Sequence, residues 1–149
     1  MAVKPIPEGF HTVTPYLFVS GAAKLIDFMK QAFGAKEVER MPTPDGAIMH
    51  AQVKIGDSII MLGDARDQWA PMPTSLYLYV NDTDAVYKRA LQAGGTSLRE
   101  PADEFYGDRS AGVKDPTGNM WWLATHIEDV APDELRRRAE AVMQKRRSA

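Results

Sequence analysis

Cysteine is absent from this 149-residue chain. That excludes disulfides, thiolate nucleophiles and cysteine-ligated zinc or iron–sulfur sites. It also permits a cytoplasmic location, which is the simplest expectation. An excess of one charge is lacking as well: 18 Lys and Arg stand against 20 Asp and Glu, a formal net charge of −2. A nucleic-acid partner would call for a basic footprint, so none is expected. No apolar run approaches the roughly 18 residues of a membrane span. Met1-Ala2-Val3-Lys4-Pro5 lacks the apolar stretch of a secretory signal. Histidine is scarce too, and its three residues, His11, His50 and His126, set the whole supply of imidazole chemistry.

What remains is the balance of an ordinary globular protein, 44% hydrophobic and 26% charged. A chain of this length forms a single domain over 1–149 and can bury roughly 70% of its unfolded surface. Within it, one unit occurs twice. Val19, Gly34 and Leu62 recur as Val80, Gly94 and Leu123, at offsets of 61 (80 − 19), 60 (94 − 34) and 61 (123 − 62). The first copy spans about 12–63 and the second about 74–126. A Pro-rich linker covers 64–73, and a last helix covers about 131–147.

Each copy reads as strand, helix and three strands. From Thr12 to Ser20 the chain alternates, with Val13, Leu17 and Val19 on one side and Thr14, Tyr16 and Phe18 on the other. Ala22, Leu25, Ile26, Met29 and Phe33 then share a helical face, and Gly34 stops the helix. Strands follow at Glu37–Met41, Ala47–Ile55 after a Pro-Asp-Gly turn, and Ser58–Leu62. In the second copy Leu76, Leu78 and Val80 are expected to face a helix over about Thr83–Ala93. Ser75, Tyr77 and Tyr79 face the other way. Strands near Thr96–Arg99, Asp108–Lys114 and Met120–Thr125 complete it, with Asp115-Pro116-Thr117-Gly118 as a turn.

These segments, in this order, resemble the vicinal oxygen chelate superfamily, and within it the PhnB-like glyoxalase/bleomycin-resistance/dioxygenase branch. The resemblance rests on the run from Pro7 to Leu17, Ala32-Phe33-Gly34-Ala35 and His50-Ala51. It rests also on Tyr106-Gly107-Asp108-Arg109-Ser110, the run from Asp115 to Trp121 and the run from Ala124 to Val130. It implies an α+β fold of two βαβββ modules, curved sheets around a concave site, with the C-terminal helix added. It also implies a homodimer, in some relatives with modules exchanged.

Enzymes of that superfamily hold a divalent metal through His, Gln or Glu, two from each module. The resemblance places those positions at Thr14, Met61, Ser75 and Trp122. A hydroxyl pair, a thioether and an indole make a poor cage for a hard or borderline cation. No metal and no other cofactor is therefore expected.

The candidate ligand-binding set is Thr14, Tyr16, His50, Gln52, Met61, Ser75, Tyr77, Tyr79, Tyr106, Arg109 and Trp122. Phe18, Trp69 and several methionines supply further walls. His50 is the one candidate catalytic group: its ring can serve as a base or orient a ligand, or be satisfied by a neighbouring strand. Gln52, two residues on, shares its side but stands where the branch has a glutamate. Arg109 can pair with Asp108 or Glu104, or reach a ligand. His11 reads as exposed and His126 as the end of the last strand. The aromatics either fill a core or stack a flat or cationic compound.

The function expected is thus metal-free binding of a drug-like, aromatic or cationic small molecule. The alternative is a metal-dependent lyase, isomerase or dioxygenase with an altered site that includes His50 and Gln52. A third reading, a scaffold docking a protein through its last helix, is weakened by the acidic residues that dilute that helix's basic runs.

Overall fold

The structure, a computed structural model, describes residues 2–148. The first module contains β1 (Tyr16–Val19), α1 (Ala22–Phe33), β2 (Lys36–Pro42), β3 (Ile48–Ile55) and β4 (Ser58–Asp64). The second contains β5 (Ser75–Tyr79), α2 (Thr83–Gln92), β6 (Thr96–Asp103), β7 (Asp108–Lys114) and β8 (Met120–His126). Helix α3 (Pro132–Ser148) follows. Two four-stranded sheets result, ordered β1-β4-β3-β2 and β5-β8-β7-β6. In each, the outer first strand lies parallel to the last and the other pairs are antiparallel. The repeat holds residue by residue. Tyr16 sits opposite Met61 and Tyr77 opposite Trp122, both displaced by 61 (77 − 16 and 122 − 61).

The helices form where the apolar spacing demands it. Leu25, Ile26, Phe28, Met29 and Ala32 are buried along one stripe of α1, and Gly34, at φ 66°, ends the helix in the left-handed region. Helix α2 buries Val86 and Ala90 and is capped by the Asp82 carboxylate, which accepts from the Ala85 N–H. The two helices pack against each other, each also covering one face of its own sheet. Their stripes and the inward residues of both sheets therefore form one core, with Leu17, Val53 and Leu62 from the first sheet and Val113, Trp121 and Leu123 from the second. Phe33 meets Trp121 at 4.9 Å between ring centres.

Several expectations are corrected. Strand β1 starts at Tyr16 rather than Thr12, because Pro15 has no N–H to give; its carbonyl accepts from Met61 at 2.9 Å and the ladder begins after it. Strand β4 continues to Asp64 and β6 to Asp103. The Pro-Asp-Gly turn joins β2 to β3 as expected, and the Asp115–Asn119 turn joins β7 to β8, where the first module has Gly56-Asp57. Among the described residues no strand of one sheet pairs with the other sheet. The halves meet through their helices, and each sheet keeps an open face of its own instead of closing with its neighbour around one cavity.

Helix α3 buries no residue. Arg138 tethers it, donating to the Glu128 carboxylate at 2.7 and 2.9 Å and to the Phe105 carbonyl at 3.2 Å. No helix among the described residues is long and apolar enough to cross a membrane.

Candidate functional site

The open face of the second sheet is organised by the turn that precedes β8. The buried Asp115 carboxylate accepts from Thr117 N–H and Oγ1, both at 2.7 Å, and from the Trp121 indole at 2.6 Å. Asn119 Oδ1 accepts from Thr74 N–H at 2.9 Å and fixes the start of β5 beside it. With Trp121 locked into the core, strand alternation puts Trp122 on the open face. Its N–H donates to Ser75 Oγ at 2.9 Å, and the Arg99 guanidinium lies 5.4 Å from its ring centre. Its six-membered ring lies against Gly112, its partner in register, where an added Cβ would come within 2.4 Å. Arg99 in turn donates to the buried Ser110 Oγ at 2.7 Å.

Two residues from Ser110 on the same face lies Asp108, almost fully buried. Its Oδ2 accepts from Tyr77 at 2.8 Å and Tyr79 at 3.0 Å, and its Oδ1 lies 2.9 Å from His126 Nδ1. His126 Nε2 lies 2.7 Å from the exposed Asp129 carboxylate, and Tyr106 reaches the Tyr77 hydroxyl at 3.4 Å. Burial alone would push the Asp108 carboxyl up. The bonds from His126, Tyr77 and Tyr79 together outweigh that and hold it below its ordinary value. His126 is raised by Asp108 and then Asp129. The Tyr77 phenol is raised by burial, then by Tyr106 and Asp108. At neutral pH the cluster is thus a carboxylate held by protonated phenols.

Asp108 and His126 belong to this face although the sequence marked neither as a ligand-side residue. The usable signal was parity, since Asp108, Ser110 and Gly112 alternate with the core residues Ala111 and Val113. The same parity corrects Arg109. It points toward α2, donating to Asp84 at 2.8 and 3.0 Å and to Asp103 at 3.0 Å, and pairs with neither Asp108 nor Glu104. Arg109 therefore lies off the open face.

The first sheet presents different chemistry. Tyr16 stacks on Phe18 (4.8 Å, 29°), and Phe18 on Trp69 (5.5 Å, 9°). His50 Nδ1 lies 3.1 Å from the Tyr16 hydroxyl, and His50 Nε2 lies 3.2 Å from Gln52 Nε2. Both ring nitrogens are therefore bound within the protein. Tyr16, Phe18 and Trp69 line a cleft of about 310 Å³. Thr14, Gln52 and Met61 border a second, of about 450 Å³, under the lead-in from Pro5 to Thr12. A third, of about 420 Å³, lies where Thr14 and the β3–β4 turn approach Tyr77 and Tyr79. His11 is exposed, with Nε2 3.1 Å from the Asp57 carbonyl. The predicted residues are thus divided among separate places.

The donor set does not fit a metal. Ser75 and Trp122 are bonded to each other, and Thr14 and Met61 present only a hydroxyl and a thioether. Among the described residues no group of three or more His, Asp or Glu converges on a point where an ion could sit.

Comparison with known proteins agrees with this architecture. The chain is 39% identical over 134 residues to the uncharacterized protein Mb0911c of Mycobacterium bovis, covering 83% of this chain and 88% of the relative. Its fold matches TioX from Micromonospora sp. ML1 with a TM-score of 0.68 at 22% identity, covering 78% of this chain and 99% of the other. It also matches a putative 3-demethylubiquinone-9 3-methyltransferase, PhnB protein, from Bacillus cereus, with a TM-score of 0.63 at 19% identity, over 77% and 99% of the two chains. Residues 9–123 match the profile of one family, and the chain belongs to it: the Glyoxalase/Bleomycin resistance protein/Dioxygenase superfamily.

Proposed function

We propose that this member of the superfamily binds a small molecule, aromatic or cationic in character, without a metal, and that sequestration rather than turnover is the outcome. The observation that carries the reading is the Trp122–Ser75 hydrogen bond. Two of the four positions that hold a metal in the enzymes are here bonded to each other, and the indole lies against Gly112 across the floor of the face. Rings exposed on both open faces, among them Tyr16, Trp69, Tyr77 and Tyr79, offer stacking surfaces in place of an ion. The pairing common in this superfamily supports a homodimer, and the lack of cysteine permits a cytoplasmic setting.

A thermal-shift screen of cationic and aromatic compounds tests the binding. A ligand at 100 times its dissociation constant should add about 2.7 kcal/mol of stability. No stabilisation by any compound at hundreds of micromolar would count against it. Elemental analysis of protein purified without a metal-affinity tag separates it from the metal-dependent lyase, isomerase or dioxygenase. Stoichiometric zinc, nickel, manganese or iron would favour the enzyme.

A further inference from the structure

The cleft of the first module carries donors as well as rings, and they select one kind of ligand. Gln52 Nε2 can only donate, so His50 Nε2 accepts, which puts a ring proton on Nδ1, and Nδ1 donates to the Tyr16 oxygen. The Tyr16 O–H is then left with no acceptor among the described residues. Gly63 keeps space beside that hydroxyl: a Cβ there would sit 3.4 Å from it, and 2.7 Å from the Met49 carbonyl.

Arg66 lines the same cleft; its guanidinium makes no ion pair among the described residues and is only the least of several influences that lower the Asp45 pKa. Its backbone is locked to Trp69 by reciprocal bonds of 2.9 and 2.7 Å, and this tight turn holds the Trp69 ring nearly parallel over Phe18. The one carboxylate lining the cleft, Asp64, is engaged by the N–H groups of Gly21, Ala22 and Ile48. At about 310 Å³ the cleft stands at the small end of ligand pockets, which run about 300–1,000 Å³ and suit at that end a compound of two fused rings.

We infer that the open face of module one is a site for a planar aromatic acid, whose ring stacks on the Tyr16–Phe18–Trp69 row and whose carboxylate oxygens accept from the Tyr16 hydroxyl and the Arg66 guanidinium. This rests on the binding reading above and narrows it to one face and one chemistry.

The three tryptophans make it testable in the full-length chain. The Trp121 N–H is bonded to Asp115 and the Trp122 N–H to Ser75, while Trp69 is half-exposed in the cleft. In nitrogen-15-labelled protein, Trp69→Phe assigns the Trp69 indole signal by its loss, and the two remaining signals report that the fold is intact. Titration with naphthalene-2-carboxylate should shift the Trp69 signal alone. The neutral carboxamide should bind about tenfold more weakly and the naphthylmethylammonium ion more weakly still, because only the acid gains a charge-assisted bond to Arg66. Arg66→Gln should bring the acid down to the carboxamide, and Tyr16→Phe should weaken both without affecting the ammonium probe.

Equal shifts from acid and ammonium would overturn the assignment of donors. A shift of Trp122 alone would move the ligand to module two and overturn this proposal while leaving small-molecule binding intact. A Trp69 signal that moves with protein concentration and ignores all three probes would make the row a contact between copies, and would overturn it too.

Discussion

The two modules share a backbone plan and differ in what they place on it. In the first, the open face carries a row of rings, a histidine bound on both nitrogens and a glutamine, with Arg66 lining the same cleft. In the second, the open face gathers around the Asp108 carboxylate. Phe18 becomes Tyr79, whose hydroxyl donates to Asp108. Gln52, opposite Met61, becomes Gly112, opposite Trp122. That last exchange is coupled, since a large indole can lie on the sheet only where its neighbour has no side chain. A duplicated fold thus fixes where side chains project and leaves free what each half does with them.

The largest expected difference lies at the helix starts. Helix α1 has Gly21 at its N-cap, with no side chain to receive the free N–H groups. Asp64 does that from the end of β4, accepting from Gly21 at 3.0 Å and Ala22 at 2.8 Å, and also from Ile48 at 2.7 Å. Helix α2 carries its own cap, Asp82, which serves one N–H. Asp64→Ala leaves three donors without a partner and should cost about 2–4 kcal/mol, whereas Asp82→Ala should cost about 1 kcal/mol. Urea denaturation of the two variants checks this, and equal losses would mean that Asp64 is no more than an ordinary cap. The low Asp64 pKa adds a sign. Burial pushes it up but the three N–H groups outweigh that, so this stabilisation is present at neutral pH and is lost as pH falls through the folded value.

The indole exchange comes next. Gly112→Ala places a methyl within 2.4 Å of the Trp122 ring, which has no flexible end to yield. The ring must lift off the sheet, at a cost of about 1–3 kcal/mol, and its N–H must leave Ser75. Gln52→Ala, at the matching place in module one, should stay within about 0.5 kcal/mol, since Gln52 is partly exposed and no ring rests on it. Denaturation midpoints give the energies, and the Trp122 indole signal shows whether the Ser75 bond has gone. An unmoved signal in Gly112→Ala would show that the sheet bends instead.

These contrasts explain what the sequence made readable. Both helices and the parity of β5 and β8 were legible, because apolar spacing and strand alternation are local properties. Trp122 outward followed from the same rule, and the structure puts its neighbour Trp121 in the core. The Arg109 partner was not legible: Asp84, Asp103, Asp108 and Glu104 are all acidic, and only the packing of α2 over β7 decides among them. The Asp108–His126 contact joins residues 18 apart on neighbouring strands, a pairing set by register. Nor did the pattern show that the halves meet through α1 and α2, since an apolar stripe says that a helix is covered and not by what.

The smallest effect concerns pH in module two. His126 is raised by Asp108 first and Asp129 second. A group whose folded pKa exceeds its unfolded one stabilises fully below the unfolded value, about 6.5 for histidine, and loses that contribution as pH rises through the folded value. Stability should therefore fall as pH climbs from 6 toward the raised folded pKa, and His126→Gln should remove that part of the slope. The effect is modest because the imidazole is half-exposed and Asp129 fully so, which lets solvent screen the outer pair. Asp129→Asn should accordingly flatten the slope less than Asp108→Asn, the inner carboxylate being the buried one. Midpoints of urea denaturation at pH 6 and pH 8 for the four proteins measure this. If Asp129→Asn flattened it more, the imidazole would be held from the solvent side, and Asp108 would serve the two tyrosines alone.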